Sequence, residues 1–170
     1  MTPHPSNHQW YVAYTYPQAE RKVDRKLNEI GMTTFLPLQR VVRQWSDRKK
    51  KMDVPLFPNY IFVCTSPQKR FDVFKVKEVV KLVSFGGQPA TVADATIDSL
   101  ERMQAGDIDV TSKEFYEEGT AVKIEHGQFA GAEGVVARRS GKQRLVVYVK
   151  VLNTYVSVDM SANNVEAIGG

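Results

Sequence analysis

The side chains that catalysis most often uses are scattered along this sequence and form no recognisable catalytic motif. There is no P-loop, no G-x-S-x-G elbow, no H-E-x-x-H pair and no cysteine pair, since Cys64 is the only cysteine. His126 lies beside Gly127 in a predicted turn, where a histidine is ordinarily structural. Gly86 and Gly87 lack the spacing of a dinucleotide-binding loop. We therefore expect a binding protein, not an enzyme, with no cofactor and no metal.

Basic residues interleaved with an aromatic residue are the second chemical signal. Two β-prone arms, residues 38–45 and 51–56, are predicted to form a hairpin with its tip near residues 46–48. Trp45 lies among the basic residues of this hairpin, which are Arg40, Arg43, Arg48, Lys49, Lys50 and Lys51. The pattern is typical of nucleic-acid binding. Lysines on an exposed edge strand also prevent aggregation, and the residues alone leave these two interpretations level.

A predicted amphipathic helix over residues 18–30 carries further positive charge. Val23 and Leu27 recur on its apolar side, and Gly31 is expected to end it. The opposite side holds four basic residues, which are Arg21, Lys22, Arg25 and Lys26. A basic helix face is most often simply solvated, but it can also follow a phosphate backbone. The net charge of +4 is compatible with a nucleic-acid partner and does not establish one.

The stretch VPLFPNYIFVC, from Val54 to Cys64, is expected to place an apolar strand beside these charges. Alternation puts Tyr60 and Phe62 on one face of the strand and Ile61 and Val63 on the other. A strand that is apolar on both faces is either buried on both sides or offers one side to a partner. We expect the second arrangement, with the rings of Tyr60 and Phe62 facing outward.

The other N-terminal segments indicate a compact α+β domain. Strands are predicted over residues 10–16, 33–36 and 79–85. A helix beginning at Ser66-Pro67 is expected to turn Phe71 and Phe74 inward. A last helix is predicted to run from an Asp94 N-cap to about Gln104, with an apolar side formed by Ile97, Leu100 and Met103.

From Gly119 the sequence becomes all-β, after an acidic segment with no clear period. Short strands are predicted over residues 120–125, 134–139, 145–152, 155–160 and 165–168. Their even spacing indicates a small five-stranded β-barrel. The predicted organisation is a disordered tail at 1–8, an α+β domain at 9–105, a linker at 106–117 and the barrel at 118–170.

Several separate segments resemble the NusG family. Those in the N-terminal part are WYVAYTYPQAERKV, FLPLQRVVRQWSDRKK, VPLFPNYIFV and VVKLVSFGGQPATV, and the C-terminal segment EGTAVKIEHGQFAGAEGVVARR resembles a KOW motif. VPLFPNYIFV is more similar to RfaH and other specialised paralogues than to a housekeeping NusG. The resemblance implies an antiparallel N-terminal sheet with flanking helices, followed by an SH3-like KOW barrel.

For the N-terminal domain, the resemblance implies a factor for transcription elongation or antitermination. In the family this domain binds the clamp helices of the largest catalytic subunit of RNA polymerase. The residues that match the apolar docking patch are Tyr60, Phe62 and Phe85. We expect a cytoplasmic monomer with no membrane partner, and a single cysteine fits a reducing compartment.

The resemblance also implies contacts with nucleic acid and with a second protein. The positions that match contacts to the non-template DNA strand are Lys22, Lys26 and Lys77, to which we add Arg43, Arg48 and Lys49 of the hairpin. In the KOW domain, Leu152 matches the family's partner-contact position, and Phe129 lies in the glycine turn. The expected partners there are a ribosomal protein, Rho or RNA. The alternative function is a KOW-containing RNA-binding or ribosome-associated protein, which would not bind the clamp helices.

Overall fold

The chain folds into two compact units, residues 2–91 and 92–170. The computed structural model describes residues 5–104, 108–111, 120–124, 130–139, 142–159 and 167–169. Within those residues, no helix has the length and apolar character needed to cross a bilayer.

The first unit is built on a five-stranded sheet. Its elements in chain order are β1 (Gln9–Thr15), α1 (Glu20–Glu29), β2 (Thr33–Phe35), β3 (Leu38–Gln44), β4 (Lys49–Pro55), β5 (Tyr60–Thr65), a 3-10 helix (Arg70–Lys75), β6 (Val79–Leu82), β7 (Ser84–Phe85), β8 (Gln88–Pro89) and β9 (Thr91–Val92). The sheet order is β2-β5-β1-β6, with β9 also paired to β1. The strands β3 and β4 form a separate hairpin, as do β7 and β8. The predicted N-terminal sheet with its helix is confirmed.

Helix α1 covers one face of this sheet. Val23 and Leu27 are fully buried and belong to the same core cluster as Ile61 and Val63 of β5. Gly31 follows the helix with φ of +82°, a left-handed conformation that glycine adopts without steric cost. The helix predicted from its apolar period is therefore confirmed, and Gly31 ends it as expected.

The segment after β5 differs from its prediction. Residues 70–75 form a 3-10 helix, and the side chains of Val73 and Val76 are buried there. Phe71 and Phe74 are exposed, so the expectation that they face inward is wrong. A 3-10 helix has three residues per turn, so the residues that share its buried side are three apart and here are the two valines.

The turn that leads into β5 is held by hydrogen bonds from two other elements. Asn59 has φ of +72°, in the left-handed region. Its N–H donates to Oε1 of the buried Glu20 at 2.7 Å, and its carbonyl accepts the N–H of Thr15 at 2.8 Å. The first residue of α1 and the last residue of β1 therefore fix where the strand, and Tyr60 at its start, begins.

The second unit combines one helix with a six-stranded sheet. Its elements are α2 (Asp94–Met103), β10 (Ile108–Thr111), β11 (Thr120–Ile124), β12 (Glu133–Arg139), β13 (Lys142–Val149), a 3-10 helix (Lys150–Leu152), β14 (Thr154–Asp159) and β15 (Ala167–Gly169). The sheet order is β10-β14-β13-β12-β11-β15, and each described pair is antiparallel. The helix buries its predicted apolar side, although its N-cap residue is Ala93 and not Asp94.

Two features of this unit were not predicted. The sequence predicts that α2 is part of the N-terminal domain at residues 9–105. In the structure, α2 lies in the second unit. There the hydroxyl of Ser99 accepts the backbone N–H of Glu133 at 2.8 Å. Strand β10 lies within the segment expected to be a linker, and it pairs with β14. The five strands predicted after residue 119 are all present as β11 to β15, with β10 as a sixth.

We expect the left-handed conformation at Asn59 to discriminate sharply between substitutions. Asn59→Val should lower the free energy of unfolding by about 1–2 kcal/mol, because a β-branched residue is strained at positive φ. Asn59→Gly should be nearly neutral at this position. Urea unfolding of both variants provides the measurement. Equal stability of the two variants would contradict the assigned backbone conformation.

Candidate functional site

The hairpin formed by β3 and β4 is a concentrated source of positive charge. Residues 38–55 contain six basic and two acidic side chains, a net charge of +4, which equals that of the whole chain. Arg43 pairs with Lys50 across the hairpin, and Gln44 pairs with Lys49. The predicted nucleic-acid residues Arg43, Arg48 and Lys49 are all exposed. The hairpin predicted from the sequence is confirmed, while its role stays a prediction.

Contacts within the hairpin divide its charges into paired and available groups. Nε of Arg40 lies 2.9 Å from Oδ1 of Asp53, and this ion pair lowers the pKa of the Asp53 carboxyl. Nζ of Lys50 lies 5.7 Å from the ring centroid of Trp45, which is half exposed. The base of the hairpin is therefore partly neutralised, whereas its tip combines an accessible indole ring with cations.

A second basic cluster surrounds Glu78, a residue that the sequence did not single out. Nζ of Lys22 lies 2.7 Å and Nζ of Lys26 lies 3.0 Å from Oε1 of this carboxylate. The Glu78 side chain is only 9% exposed. The hydrogen bonds from Lys22 and Lys26 lower the pKa of Glu78 from 4.5 to about 2. Lys77, the neighbour of Glu78 in the chain, is exposed.

The Glu78 cluster reduces the positive charge that Lys22 and Lys26, the two lysines of α1 predicted to contact nucleic acid, can offer to a partner. Lys22 and Lys26 lie one helical turn apart, as expected, but they share a carboxylate and add a net charge of only about +1 there. Because Glu78 holds their positions, the two ammonium groups are oriented before any partner arrives. One feature of the sequence could have indicated Glu78. It is the single acidic residue in KVKEVVK, just before a predicted strand.

Of the three predicted docking aromatics, two are accessible. Phe85 is 63% exposed on the β7–β8 hairpin. Tyr60 is half-buried at the start of β5, and its ring meets the ring of Tyr14 edge-on at 5.3 Å between centroids. Nζ of Lys81 lies 5.6 Å from the centroid of the Tyr14 ring. These two sites are carried by different elements of the first unit.

The expectation that the ring of Phe62 faces outward is wrong. Phe62 has no exposed surface and lies between the rings of Phe35 and Phe57, each 5.9 Å from it between centroids. Alternation correctly separates Phe62 from Ile61 and Val63, but both faces of β5 are buried at this level. Phe62 is therefore a core residue in this conformation, and not an exposed anchor.

In the second unit, Leu152 lies in the turn between β13 and β14. It is half-buried at the end of the short 3-10 helix, and its carbonyl accepts the hydroxyl of Thr154 at 2.8 Å. Tyr148 and Tyr155 pack beside each other on the neighbouring strands, with centroids 4.7 Å apart. Phe129, the other predicted partner contact, lies outside the described residues.

Comparison with known proteins decides the family. The model of the family described as "Transcription termination factor nusG" matches residues 8–101, which is more than half of the chain. The chain belongs to the NusG family. The matched residues include most of the first unit with its basic hairpin, and most of α2.

Curated NusG proteins extend the similarity to the C-terminal half. The chain is 28% identical to the transcription termination/antitermination protein NusG of Pseudomonas aeruginosa, with 94% of this chain and 98% of that protein covered. It is 25% identical to NusG of Borreliella burgdorferi, with 94% and 98% covered. These relatives are transcription termination/antitermination factors by name, which confirms the predictions of a transcription factor of this family and of a protein that is not an enzyme. The predicted elongation role stays a prediction.

A solved structure is similar over nearly the same length. The structure entitled "Domain interaction in Thermotoga maritima NusG" aligns with a TM-score of 0.53 and 24% identity, covering 95% of this chain and 97% of that one. At this level of identity the likeness concerns the fold, and it agrees with the α+β architecture described above.

The Glu78 cluster should make stability depend on pH in a defined direction. Because the folded pKa is lowered from 4.5 to about 2, the charged carboxylate stabilises the fold fully above pH 4.5, and this stabilisation is lost as the pH falls towards 2. Glu78→Gln should therefore be less stable than the wild type at pH 7, with the difference shrinking between pH 4.5 and 2. Urea unfolding at several pH values measures it.

Glu29→Gln is the matched control for this test. Glu29 is 64% exposed and lies 3.7 Å from Arg25 on the same helix. Exposed pairs of this kind contribute little to stability. A Glu78→Gln variant that differs from the wild type by the same amount at every pH would contradict the ion-pair assignment.

Proposed function

We propose that this NusG-family factor docks on the clamp helices of the largest subunit of RNA polymerase through its first unit. Tyr60 and Phe85 supply the aromatic contacts, with Phe62 supporting the strand from within the core. Exposed aromatic residues that fill pockets on a partner commonly dominate the energy of such interfaces. The single observation that carries the proposal is the family match over residues 8–101, the segment that contains both rings.

Nucleic acid is the second partner in this proposal. The charges at the tip of the β3–β4 hairpin follow a phosphate backbone, and Lys77 adds a contact beside the Glu78 cluster. Lys22 and Lys26 contribute less than two independent cations, because they share one carboxylate. Lysine and arginine contacts of this kind position a protein on a strand without reading its sequence.

The second unit takes the recruiting role in the proposal. We expect its sheet to close as a KOW barrel and to use the turn that contains Leu152 for a further protein or RNA. Support comes from its antiparallel order and from a buried valine-rich interior, which includes Val147, Val149, Val156 and Val158. Transcription in vitro across terminators, with and without the protein, measures the net effect of both units.

The docking site can be separated from the core by mutation. Tyr60→Ala and Phe85→Ala should each weaken binding to a clamp-helix fragment by about tenfold or more, with thermal stability nearly unchanged for Phe85→Ala. Phe62→Ala should instead cost about 3–5 kcal/mol of unfolding free energy, because it empties a buried site. A pull-down with the fragment, together with thermal unfolding, measures both effects.

Tyr16→Ala is the control for docking, because Tyr16 is a 57% exposed aromatic residue outside the proposed patch. Full binding by the Phe85 variant, or equal loss with the Tyr16 variant, would contradict the assigned patch. A fragment that does not bind the wild-type protein would favour the RNA-binding or ribosome-associated alternative.

The hairpin charges should determine how salt affects binding to single-stranded DNA. Replacing Arg43, Arg48 and Lys49 with glutamine should reduce the slope of log affinity against log salt by about 2, since each phosphate contact on a single strand contributes about 0.7. Fluorescence anisotropy at several salt concentrations gives the slope. Lys123→Gln, an exposed change on β11 of the second unit, is the control. An unchanged slope in the triple variant would exclude the hairpin from the contact.

A further inference from the structure

Glu20, the first residue of α1, is a buried carboxylate that takes no part in the docking contacts proposed above. The residue is only 5% exposed, and its Oε1 accepts the backbone N–H of Asn59 at 2.7 Å. A buried charge is costly unless it is hydrogen-bonded, and a hydrogen bond to a charged acceptor is about twice as strong as a neutral one. The first turn of a helix also favours a negative charge. The fold therefore holds a strong acceptor against the backbone of Asn59.

The residue that Glu20 binds lies in a tight turn. The N–H of Tyr60 donates to the carbonyl of Phe57 at 3.1 Å, which closes a turn of four residues. Pro58 is its second residue, and Asn59, with φ of +72°, is its third. Proline at the second position and positive φ at the third are the features of a type II turn.

The alternative, a type I turn, differs in the orientation of one peptide. Its third residue has negative φ, and the peptide between the second and third residues is rotated to the opposite side. The N–H that Glu20 accepts belongs to this peptide, so the rotation would direct it away from the carboxylate. The hydrogen bond therefore stabilises the type II turn selectively, and it offsets the steric cost of positive φ at a residue other than glycine.

The turn determines where the ring of Tyr60 lies. Tyr60 is the last residue of the turn and the first of β5, and it is paired with Tyr14 of β1. Its ring meets the Tyr14 ring edge-on, and Nδ2 of Asn59 donates to the Tyr14 hydroxyl at 3.4 Å. A rotated peptide before Tyr60 would change the start of the strand and the seat of its ring.

We propose that Glu20 is a positioning residue for docking on the clamp helices. Its carboxylate holds the Pro58–Asn59 peptide in the type II orientation and thereby presents the ring of Tyr60 to the partner. This inference rests on the proposed function and makes it more specific. Glu20 is buried and is not itself a contact residue. A protein whose binding conformation is only partly populated binds more weakly by that fraction, so loss of the carboxylate weakens docking without removing a contact.

The test measures the affinity of the full-length protein for a labelled clamp-helix fragment by fluorescence anisotropy, with thermal unfolding alongside. Glu20→Met keeps the length of the side chain without an acceptor and should weaken binding about tenfold. Glu20→Gln keeps a neutral acceptor and should stay within about threefold of the wild type. Glu29→Met, at the exposed end of the same helix, is the control and should bind like the wild type.

A second change separates the turn from the stability of α1. Glycine adopts positive φ without steric cost, so a turn with glycine at its third position needs no help from a carboxylate. Glu20→Met/Asn59→Gly should therefore regain most of the affinity that Glu20→Met loses. A role limited to the stability of the helix gives no reason for rescue by a change 39 residues away.

Double variants locate the effect at Tyr60. Glu20→Met should add little to the loss caused by Tyr60→Ala, because the ring that it positions is then absent. It should add in full to the loss caused by Phe85→Ala, since Phe85 is carried by the separate β7–β8 hairpin. Full additivity with Tyr60→Ala would overturn the positioning role.

The wild type gives a reading that does not depend on how any variant folds. Binding of the fragment should slow hydrogen exchange of the Asn59 amide, because the bound conformation keeps that N–H on Glu20. Unchanged exchange in the complex would overturn the inference, and so would wild-type affinity in Glu20→Met or absence of rescue by glycine. In those cases docking through Tyr60 and Phe85 would still stand. A fragment that does not bind the wild type would overturn the docking proposal together with this inference.

Discussion

The burial of both faces of β5 is the constraint on which the first unit depends. Ile61 and Val63 pack towards α1, while Phe62 packs between Phe35 and Phe57 on the other side. The strand lies between β2 and β1 in the sheet, so its backbone is paired on both edges as well. A strand that is buried on both faces and paired on both edges has little exposed surface with which to bind a partner. Binding groups must therefore lie at its first residue or on elements that project from the sheet.

The charged residues follow the same division between the sheet with its helix and the elements that project from the sheet. Where α1 meets the segment before β6, the buried carboxylate of Glu78 partly neutralises two lysines and fixes their positions. At the base of the β3–β4 hairpin, Asp53 does the same for Arg40. Exposed cations lie instead at the hairpin tip, at Arg43, Arg48 and Lys49, and at Lys69 and Lys77 on either side of the 3-10 helix. Charge near the core thus stabilises the fold, whereas charge at the projections remains available to phosphates.

Local patterns in the sequence predicted most of the elements but not what covers them. The apolar period of α1, the arms of the hairpin and the alternation in β5 all proved correct. Alternation could not tell whether Phe62 is covered, because that depends on Phe35 and Phe57 from other segments. Glu78 was missed because the lysines that form ion pairs with it are more than 50 residues away in the chain. Strand β10 was missed because its pairing with β14 leaves no period in an acidic segment.

The phenylalanines show why residue type alone misleads at such sites. Phe35, Phe57 and Phe62 fill the core, and Phe71, Phe74 and Phe85 lie outside it. Leaving a phenylalanine fully exposed forgoes about 1.5–3 kcal/mol of burial. These three rings are about half exposed, so together they forgo about 2–5 kcal/mol. The 3-10 helix determines that Phe71 and Phe74 are exposed, because the smaller Val73 and Val76, three residues apart, occupy its buried side. The exposure of Phe71 and Phe74 therefore follows from the backbone geometry of the 3-10 helix and not from a failure of packing.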